Sequence, residues 1–543
     1  MNLRGIAFTL IIALTLIFVG CLSQYVHAAI AIASLEELQT IGKDPARSLH
    51  DAYILTGDID ASITSQWDDG KGFAPIGDFH APFTGSFDGQ GHVITGLTIQ
   101  RPDQDDVGLF GCTDSAASLK NIGLNDGTIQ GNWYVGGLVG VNRGCITDCR
   151  VSAAISGNYE AGGLAGRNQQ GQISGCYTAG SVTGREQIGG LVGRNCGAVS
   201  DCHAASTLTT GSDSVAVGGL VGRNASGAIS ASTVSASVLG GGYTYYMGGL
   251  VGWHEGSITN CHVRGADDTQ LSVTGRRYVG GLVGWLEAGV IEDCTAAAAV
   301  TATYHGAGLV ALNKGTVTKV NAAGTVKGEK CVGGLIAENR GKVTHARSAC
   351  TVTAEKILGG LIAENKGEVI CCAAAGAVTG SVGVAGLVAA NHGSLSQVYA
   401  TGTICGESGV AGLIAANFGT LTNAYATGAV SGDGYVGGLI AVNGEQGTLS
   451  CCYGAGTVTG NEKVGGLIAI NVDGTAPHCY WDTEGSHQAT SAGGEGRSTA
   501  QMTAPYDPTT YVKWDFTEKW IRDTDGKENG GYPYLAQIQQ LGK

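Results

Sequence analysis

A short motif built on a glycine pair and a leucine recurs along most of the 543-residue chain. One copy reads GGLVGRN, over residues 189–195. Successive motif leucines are separated by 26 to 32 residues, with five consecutive intervals of 26. A period that stays at 26 and only lengthens predicts a fixed structural unit with insertions in its loops. The motif leucines are Leu109, Leu138, Leu164, Leu191, Leu220, Leu250, Leu282, Leu309, Leu335, Leu361, Leu387, Leu413, Leu439 and Leu467.

Each unit has room for three short β-strands and shows no ten-residue stretch with helical apolar spacing. Residues 333–354 illustrate this with GGLIAEN, KVTHA and ACTVTA, separated by glycine and polar residues. Stacking three strands per coil on the equivalent strands of the next coil predicts an all-β fold. We expect a right-handed parallel β-helix of about 14 coils of about 26 residues, roughly 65 Å long.

Proline is distributed as this fold requires. Proline lacks the N–H that a central strand donates, so it is confined to edges and bulges. None of the eight prolines lies within residues 103–476, which predicts uninterrupted hydrogen-bonded sheets there. The prolines are Pro45, Pro75, Pro82, Pro102, Pro477, Pro505, Pro508 and Pro533.

Asparagine dominates the position four residues after the motif leucine, where His254 and Leu286 are the exceptions. Asparagine tolerates left-handed backbone at a corner, and stacked amides can hydrogen bond from coil to coil. We therefore predict a structural asparagine ladder. Its members are Asn142, Asn168, Asn195, Asn224, Asn313, Asn339, Asn365, Asn391, Asn417, Asn443 and Asn471.

The position two residues after the leucine divides the repeats into two groups. Six successive coils carry glycine and the next seven carry alanine, which predicts two halves with different packing. We expect the leucine, this small residue and the asparagine to face inward. The members are Gly140, Gly166, Gly193, Gly222, Gly252 and Gly284, followed by Ala311, Ala337, Ala363, Ala389, Ala415, Ala441 and Ala469.

Eight of the 17 cysteines occupy one column that also accepts serine, alanine and valine. Such a column favours small buried side chains. Neighbouring strands would hold the Cβ atoms farther apart than the about 3.8 Å of a disulfide, so we expect core cysteines rather than a disulfide ladder. The eight are Cys149, Cys176, Cys202, Cys261, Cys294, Cys372, Cys452 and Cys479.

The repeated motif resembles that of the GLUG-repeat family of bacterial secreted and surface proteins. The flanks are similar too: PFTGSFDGQGHVITGLTI over residues 82–99 resembles the family's entry segment, and CYWDTEGSHQATSAGG with GYPYL resembles its exit. The resemblance implies a β-solenoid at the cell exterior, in adhesin-like or matrix proteins and sometimes attached to a protease. It implies no catalytic residue set.

The first 28 residues have the pattern of a secretory signal peptide, with an apolar run over residues 5–20 before Val26 and Ala28. We expect cleavage near Ala28 and an extracellular or surface-held mature protein. Cys21, in FVGC, offers lipoprotein anchoring as the alternative, although Phe18 stands where leucine is usual. No second apolar run is long enough to span a bilayer, which predicts no integral membrane span in the mature chain.

The chain divides into four regions. Residues 1–28 are the predicted signal peptide, 29–107 an N-terminal capping or entry region, 108–476 the repeats, and 477–543 a C-terminal capping region. The caps would shield the open strands of the terminal coils. Apolar cover at the C-terminal end is expected from Trp514, Phe516, Trp520, Tyr532 and Tyr534.

A candidate ligand-binding stripe occupies the position three residues after the leucine. Successive coils carry Arg167, Arg194, Arg223, Trp253 and Trp285 there. Indoles stack on sugar rings, and guanidinium groups pair with carboxylate or sulfate. We predict that this Arg/Trp stripe binds glycans or extracellular proteins, with a freely drifting solvated face as the alternative.

The sequence supports an enzymatic function less well than a non-enzymatic scaffold. WHEGSI begins like a zinc-protease helix, but Ile258 replaces the second histidine. The alternative is a polysaccharide-cleaving lyase or hydrolase, for which Glu338 and Glu364 supply stacked carboxylates before Ala390 ends the column. A third interpretation is an accessory region of a larger surface or protease system. We expect a non-enzymatic scaffold and no catalytic residues.

Charge constrains the partners. The chain has 45 acidic and 31 basic side chains, without a basic stripe of the kind that binds nucleic acid. No cofactor or metal site is predicted, although acidic loops are the type of site that binds Ca²⁺. Those loops contain the segment DTDGKEN at 523–529 and Asp58, Asp60, Asp68, Asp69, Asp103, Asp105 and Asp106.

Overall fold

The computed structural model describes residues 29–265 and 271–536. Within them the chain forms a parallel β-solenoid of about 17 turns of about 27 residues, which confirms the predicted fold. Cys21 and the expected cleavage site at Ala28 lie outside the described residues. The longest α-helix of the described part, Leu35–Thr40, is far too short to cross a bilayer.

The turn count exceeds the predicted 14 because the entry region continues the solenoid. Strands Ile30–Ile32, Ala52–Leu55 and Ser86–Asp88 pair in parallel, one after another. The last of them pairs with Ser118–Lys120, which lies in the first motif-bearing coil. These early turns lack the GGL motif, so a search for that motif does not find them.

Fourteen strands, each beginning directly after a motif leucine, form one parallel sheet, here called the motif sheet. Its register places equivalent motif positions side by side, such as Val139 with Ala165 and Asn142 with Asn168. Columns of the sequence are therefore columns in space. The strands are Phe110–Cys112, Val139–Asn142, Ala165–Asn168, Val192–Asn195, Val221–Asn224, Val251–His254, Val283–Leu286, Val310–Asn313, Ile336–Asn339, Ile362–Asn365, Val388–Asn391, Ile414–Asn417, Ile440–Asn443 and Ile468–Asn471.

A second sheet of 41 strands supplies the other walls of the coils. Its strands are Ile30–Ile32, Ala52–Leu55, Ile59–Asp60, Ser86–Asp88, Val93–Thr95, Thr98–Gln100, Ser118–Lys120, Gly123–Gln130, Trp133–Gly136, Cys145–Thr147, Arg150–Gly162, Gln172–Ser174, Tyr177–Gly189, Ala198–Ser200, His203–Ala204, Thr207–Gly218, Ala228–Ser230, Thr233–Val234, Val238–Leu239, Tyr245–Gly248, Ser257–Thr259, His262–Arg264, Leu271–Gly280, Val290–Glu292, Thr295–Ala307, Thr316–Gly333, Lys342–Ser348, Thr351–Gly359, Glu368–Ala374, Val378–Ala385, Ser394–Ala400, Ile404–Cys405, Ser408–Ala411, Thr420–Ala426, Val430–Ser431, Gly434–Gly437, Thr448–Gly454, Val458–Thr459, Glu462–Gly465, Tyr480–Asp482 and Glu495–Arg497. The remaining elements are the antiparallel pair Trp520–Ile521 and Tyr534–Leu535, the α-helices Leu35–Thr40 and Thr499–Met502, and the 3-10 helices Ser62–Gln66 and Asp68–Gly70.

The N-terminal end of the core is closed by the helix Leu35–Thr40, which follows the first strand. Ser34 caps this helix by accepting a hydrogen bond from the Glu37 N–H at 3.3 Å. Leu35 and Leu38 are buried in the main core. The helix thus provides apolar cover beside the terminal strand, Ile30–Ile32.

The C-terminal aromatic residues pack along the side of the last coils, and the expectation that they cover the end is wrong. Trp520 lies 6.1 Å, centroid to centroid, from both Tyr425 and Tyr453, which belong to successive coils. The end itself is covered by the segment 480–497. There the Ser491 hydroxyl accepts from the Ile468 N–H at 2.9 Å.

The asparagine ladder runs through the buried corner at the end of the motif strands. Each side-chain amide donates to the next side-chain carbonyl, as from Asn313 to Asn339 at 2.7 Å and from Asn339 to Asn365 at 2.8 Å. Asn339 also bonds both backbone groups of Gly341. The chain of amides satisfies buried polar groups that have no access to water.

The ladder changes at the two exceptions. Asn224 contacts the ring nitrogen Nδ1 of His254 at 3.0 Å. Burial lowers the pKa of His254 to about 4, so the imidazole is neutral and accepts from the amide. Leu286 has no group to continue the chain, and the ladder resumes at Asn313.

The glycine or alanine two residues after the leucine does not face the main core, which corrects the inward assignment. The main core contains the motif leucines together with the following residues, such as Val192 and Ile362. Ala311 and Ala337 form a separate cluster with Ala307. At Gly222 an added Cβ would overlap the backbone of Gln187 in the preceding coil. The residue two positions after the motif leucine, position +2, therefore lies against a neighbouring strand. There is room for a methyl group at this position only in the half of the solenoid that carries alanine.

We predict that Asn339→Ala lowers the free energy of unfolding by about 3 kcal/mol, because it leaves Asn313, Asn365 and Gly341 with unsatisfied buried groups. Chemical denaturation measures the change. The control is Asn158→Ala, which removes an exposed amide pair with Asn132 and is expected to cost below about 0.5 kcal/mol. Equal effects of the two substitutions would contradict the structural role of the ladder.

We predict that Gly222→Ala destabilises the protein by about 2 kcal/mol, since the new methyl group meets the Gln187 backbone. The sign of the change in the free energy of unfolding tests this prediction, because glycine-to-alanine changes at open sites stabilise by about 0.4–1 kcal/mol. Gly57, whose added Cβ would meet nothing within 4 Å, is the matched open site. Denaturation curves that show Gly222→Ala to be stabilising would refute the packing described here.

Candidate ligand-binding face

The five residues of the Arg/Trp stripe lie side by side on consecutive strands of the motif sheet. The register pairs Arg167 with Arg194, Arg194 with Arg223, Arg223 with Trp253, and Trp253 with Trp285. All five side chains are partly exposed. The structure thus brings together the residues that the sequence spacing placed in one column.

A second column, which the sequence analysis missed, lies over the stripe. It consists of the residues four positions before the motif leucines, and from Leu138 to Leu361 each of these residues has a positive φ, from 50° to 61°. L-residues rarely adopt this conformation. It projects large side chains over the stripe of a neighbouring strand. The members beside the stripe and beyond it are Tyr134, Glu160, Gln187, Ala216, Tyr246, Tyr278, His305, Cys331 and Ile357. Their constant position, four residues before the motif leucine, was the sequence signal that could have revealed this column.

The arginine half of the stripe is already paired with carboxylates. Glu160, only 1% exposed, accepts from Arg167 Nε at 2.6 Å and Nη2 at 2.5 Å. Arg194 Nη1 lies 3.7 Å from the same carboxylate, and Arg223 bonds Glu255 at 2.7 Å. Burial lowers the pKa of Arg167, but the hydrogen bonds and charge of Glu160 more than offset this and leave it raised. One positive charge on this half is therefore left without a carboxylate of its own.

The tryptophan half forms an aromatic platform. The rings of Trp253 and Trp285 stack with centroids 4.6 Å apart and planes 17° apart. Tyr246 lies 4.6 Å from Trp285, and the Arg223 guanidinium lies 4.2 Å from the Trp253 ring. Neither indole N–H has a hydrogen-bond partner within the described chain. Both indole nitrogens are buried, so the platform offers a ligand the exposed parts of its rings and not these donors. Lys314 Nζ lies 4.9 Å from the centroid of the Trp285 ring.

The carboxylates Glu338 and Glu364 occupy adjacent strands, as their spacing predicted. Lys366 bridges them, with Nζ 2.9 Å from Glu338 and 3.2 Å from Glu364, and Arg340 adds a 2.7 Å bond to Glu338. Burial raises the pKa of Glu338, yet the bonds from Lys366 and Arg340 outweigh it and hold the pKa below its usual range. A carboxylate held ionised is poorly suited to act as a general acid.

The acidic loops use their carboxylates within the protein. Asp68 pairs with Arg101 at 2.8 Å, and Asp58 accepts the Val93 N–H at 2.9 Å. Asp523 accepts backbone N–H groups in the loop of the DTDGKEN segment, including that of Asn529 at 2.7 Å. Within residues 29–265 and 271–536, no three His, Cys, Asp or Glu side chains are grouped as metal ligands.

The cysteine column lies in the core, and its eight members are thiols that form no disulfide within the described residues. Each column thiol donates to the carbonyl two residues earlier, as from Cys202 to Ser200 at 3.1 Å and from Cys294 to Glu292 at 3.1 Å. The residue in between is left-handed, as at Asp201. A thiol or a serine hydroxyl therefore ties down a second corner, a role that volume alone did not predict.

The fold and its stacked repeats define the chain as a parallel β-solenoid repeat protein. Residues 157–183, 243–267 and 275–301 match the family described as the GLUG motif. These segments of the chain therefore carry the GLUG motif, in agreement with the resemblance that the sequence predicted. Two of the three matched segments carry the residues of the aromatic platform.

Two relatives share part of this sequence. Halomucin of Haloquadratum walsbyi is 37% identical over 166 residues, which cover 30% of this chain and 2% of halomucin. A protein of Evansella cellulosilytica named as a Gly-rich membrane protein is 31% identical over 151 residues, covering 21% of this chain and 17% of that protein. The chain thus matches only a small part of each relative. No solved structure matches it.

We predict that Glu160→Gln lowers the free energy of unfolding by about 3 kcal/mol, because it leaves the partly buried Arg167 and Arg194 guanidinium groups without their carboxylate. Glu255→Gln is the matched control in the same stripe. Its carboxylate is 29% exposed, and the expected loss is below about 1 kcal/mol. Denaturation curves that place the two variants together would contradict the assigned role of Glu160.

Proposed function

We propose that this chain is a non-enzymatic, extracellular or surface-held repeat scaffold that binds glycans or matrix components. The supporting observation is the aromatic platform of Trp253 and Trp285, which holds two stacked, partly exposed rings on the wall of the solenoid. Aromatic rings in the surface of a β-sheet offer a fixed contact area at little entropic cost. The platform is a more suitable contact for a sugar than the arginine half, whose charges are largely paired.

The extracellular assignment rests on the signal-peptide pattern of the first 28 residues and on the family resemblance. One relative carries a name that describes a membrane protein. In the polysaccharide-cleaving alternative, Glu338 or Glu364 would have to donate a proton. Both are bound to Lys366. The scaffold therefore accounts for the observed contacts with fewer additional requirements.

Binding to a glycan array and to immobilised matrix proteins tests the proposal. We expect Trp253→Ala with Trp285→Ala to weaken glycan binding at least tenfold, because both partly exposed rings are lost. Circular dichroism and thermal unfolding check that the variant remains folded. Trp253→Phe, which keeps a ring at this position, should retain part of the affinity.

The matched control is Trp133→Ala, which removes a partly exposed indole stacked on Tyr159 at 4.2 Å, four coils away along the rod. This variant should bind as the unsubstituted protein does. Equal losses in both variants, or no loss in either, would refute the platform as the binding site. A polysaccharide depolymerisation assay that shows turnover would favour the enzyme instead.

A further inference from the structure

A cavity of about 380 Å³ lies beside the aromatic platform and is not accounted for by the Arg/Trp stripe. Rings connect the two places: Tyr246 stacks on Tyr278 at 5.5 Å, and Tyr278 stacks on His305 at 4.6 Å. His305 lines the cavity. The platform and the cavity thus belong to one face of the solenoid.

Aromatic and cationic residues alternate along one wall of the cavity. Tyr245, Arg277, Tyr304 and Lys330 occupy the same position on four successive strands. Strand spacing places them about 4.8 Å apart in sequence order. Tyr304 is 37% exposed, and Arg277 and Lys330 are exposed as well. A ligand lying along the rod would meet a ring, a cation, a ring and a cation in turn.

The cavity is strongly basic within an acidic protein of net charge −14. Arg276, Arg277 and Lys330 line it, and none of these three forms a salt bridge with any described residue. The one carboxylate in the lining, Glu364, is bound to Lys366. Uncompensated positive charge in a concave site attracts anions over several ångströms.

Two further groups in the lining indicate binding rather than covalent chemistry. His305 Nδ1 has no hydrogen-bond partner within the described chain, and burial followed by the charge of Arg277 lowers its pKa. The ring is therefore neutral, and its Nδ1 is buried rather than open to the cavity. Burial raises the pKa of Cys331 to about 12, so its thiol stays protonated and is not a nucleophile.

We propose that this cavity binds an acidic saccharide, one that carries carboxylate or sulfate groups. Sugar rings stack on Tyr245 and Tyr304, and Arg277 and Lys330 hold the anionic groups. The inference rests on the proposed function, because it assigns a second subsite to the same glycan-binding face. An acidic peptide fits less well, since the strands that carry Arg277 and Tyr304 are paired on both sides and offer no edge for strand addition.

Isothermal titration with defined oligosaccharides tests this subsite. The probes are oligogalacturonate for carboxylate, sulfated dextran oligosaccharide for sulfate, neutral dextran oligosaccharide, and poly-L-glutamate as the acidic peptide. We expect at least one of the two charged saccharides to bind at least tenfold more tightly than neutral dextran and poly-L-glutamate. The preferred probe distinguishes carboxylate from sulfate recognition, and added salt should weaken its binding.

Arg277→Gln with Lys330→Gln should reduce binding of the preferred probe at least tenfold. Arg264→Gln with Lys327→Gln is the matched control, since it removes the same charges from exposed positions outside the cavity and should change binding less than twofold. Tyr304→Ala, which leaves the charge unchanged, should also reduce binding. Equal losses in the two double variants would overturn the subsite and indicate a general charge effect.

Failure of the subsite and failure of the proposed function give different results. If glycans bind and depend on Trp253 and Trp285 but not on Arg277 and Lys330, the cavity assignment is wrong and the scaffold stands. If poly-L-glutamate binds as tightly as the charged saccharides, the saccharide assignment is wrong. If no glycan binds, both proposals fail.

Discussion

The in-register stacking of coils depends on a buried row of hydrogen-bonded amides at one corner of the solenoid. Each asparagine in the row both donates to and accepts from its neighbours, so a coil displaced by one residue would leave two partners unsatisfied. This requirement fixes which residue lies above which along the rod. Every column described here, whether of leucine, cysteine, tyrosine or cation, inherits its alignment from that register.

Periodicity made the architecture predictable, because stacking converts a sequence interval into a spatial neighbour. The Arg/Trp stripe and the Glu338–Glu364 pair were placed correctly on adjacent strands for this reason. The additional turns of the entry region were not found because they lack the motif leucine. The assignment of the +2 residue to the inner face was also wrong. Both faces of the motif strand are buried, so polar and apolar residues do not alternate along it, and the sequence does not show which face is inside.

The column of positive-φ residues four positions before the motif leucines could be found from its spacing but not from its residue types. Glycine or asparagine is the usual sign of positive φ, whereas here Tyr246, Tyr278 and Glu160 adopt it. Their side chains decide which stripe residues are paired and which are open. Glu160 forms ion pairs with two arginines, while Tyr246 extends the tryptophan platform toward the cavity. Pairing of this kind depends on side-chain reach, which spacing along the chain does not encode.

The departures from the repeat coincide in one part of the rod. The asparagine ladder is replaced by His254 and Leu286 in the same two coils that carry the platform tryptophans, and the leucine spacing reaches its maximum of 32 residues between them. The glycine-to-alanine change at position +2 follows in the next coil, beside the basic cavity. Drift alone would scatter such changes among the coils, because each column varies independently when nothing couples it to the others. Their concentration beside the platform rings and the cavity cations is the pattern that the proposed binding face predicts, because departures from regular stacking are expected at functional sites.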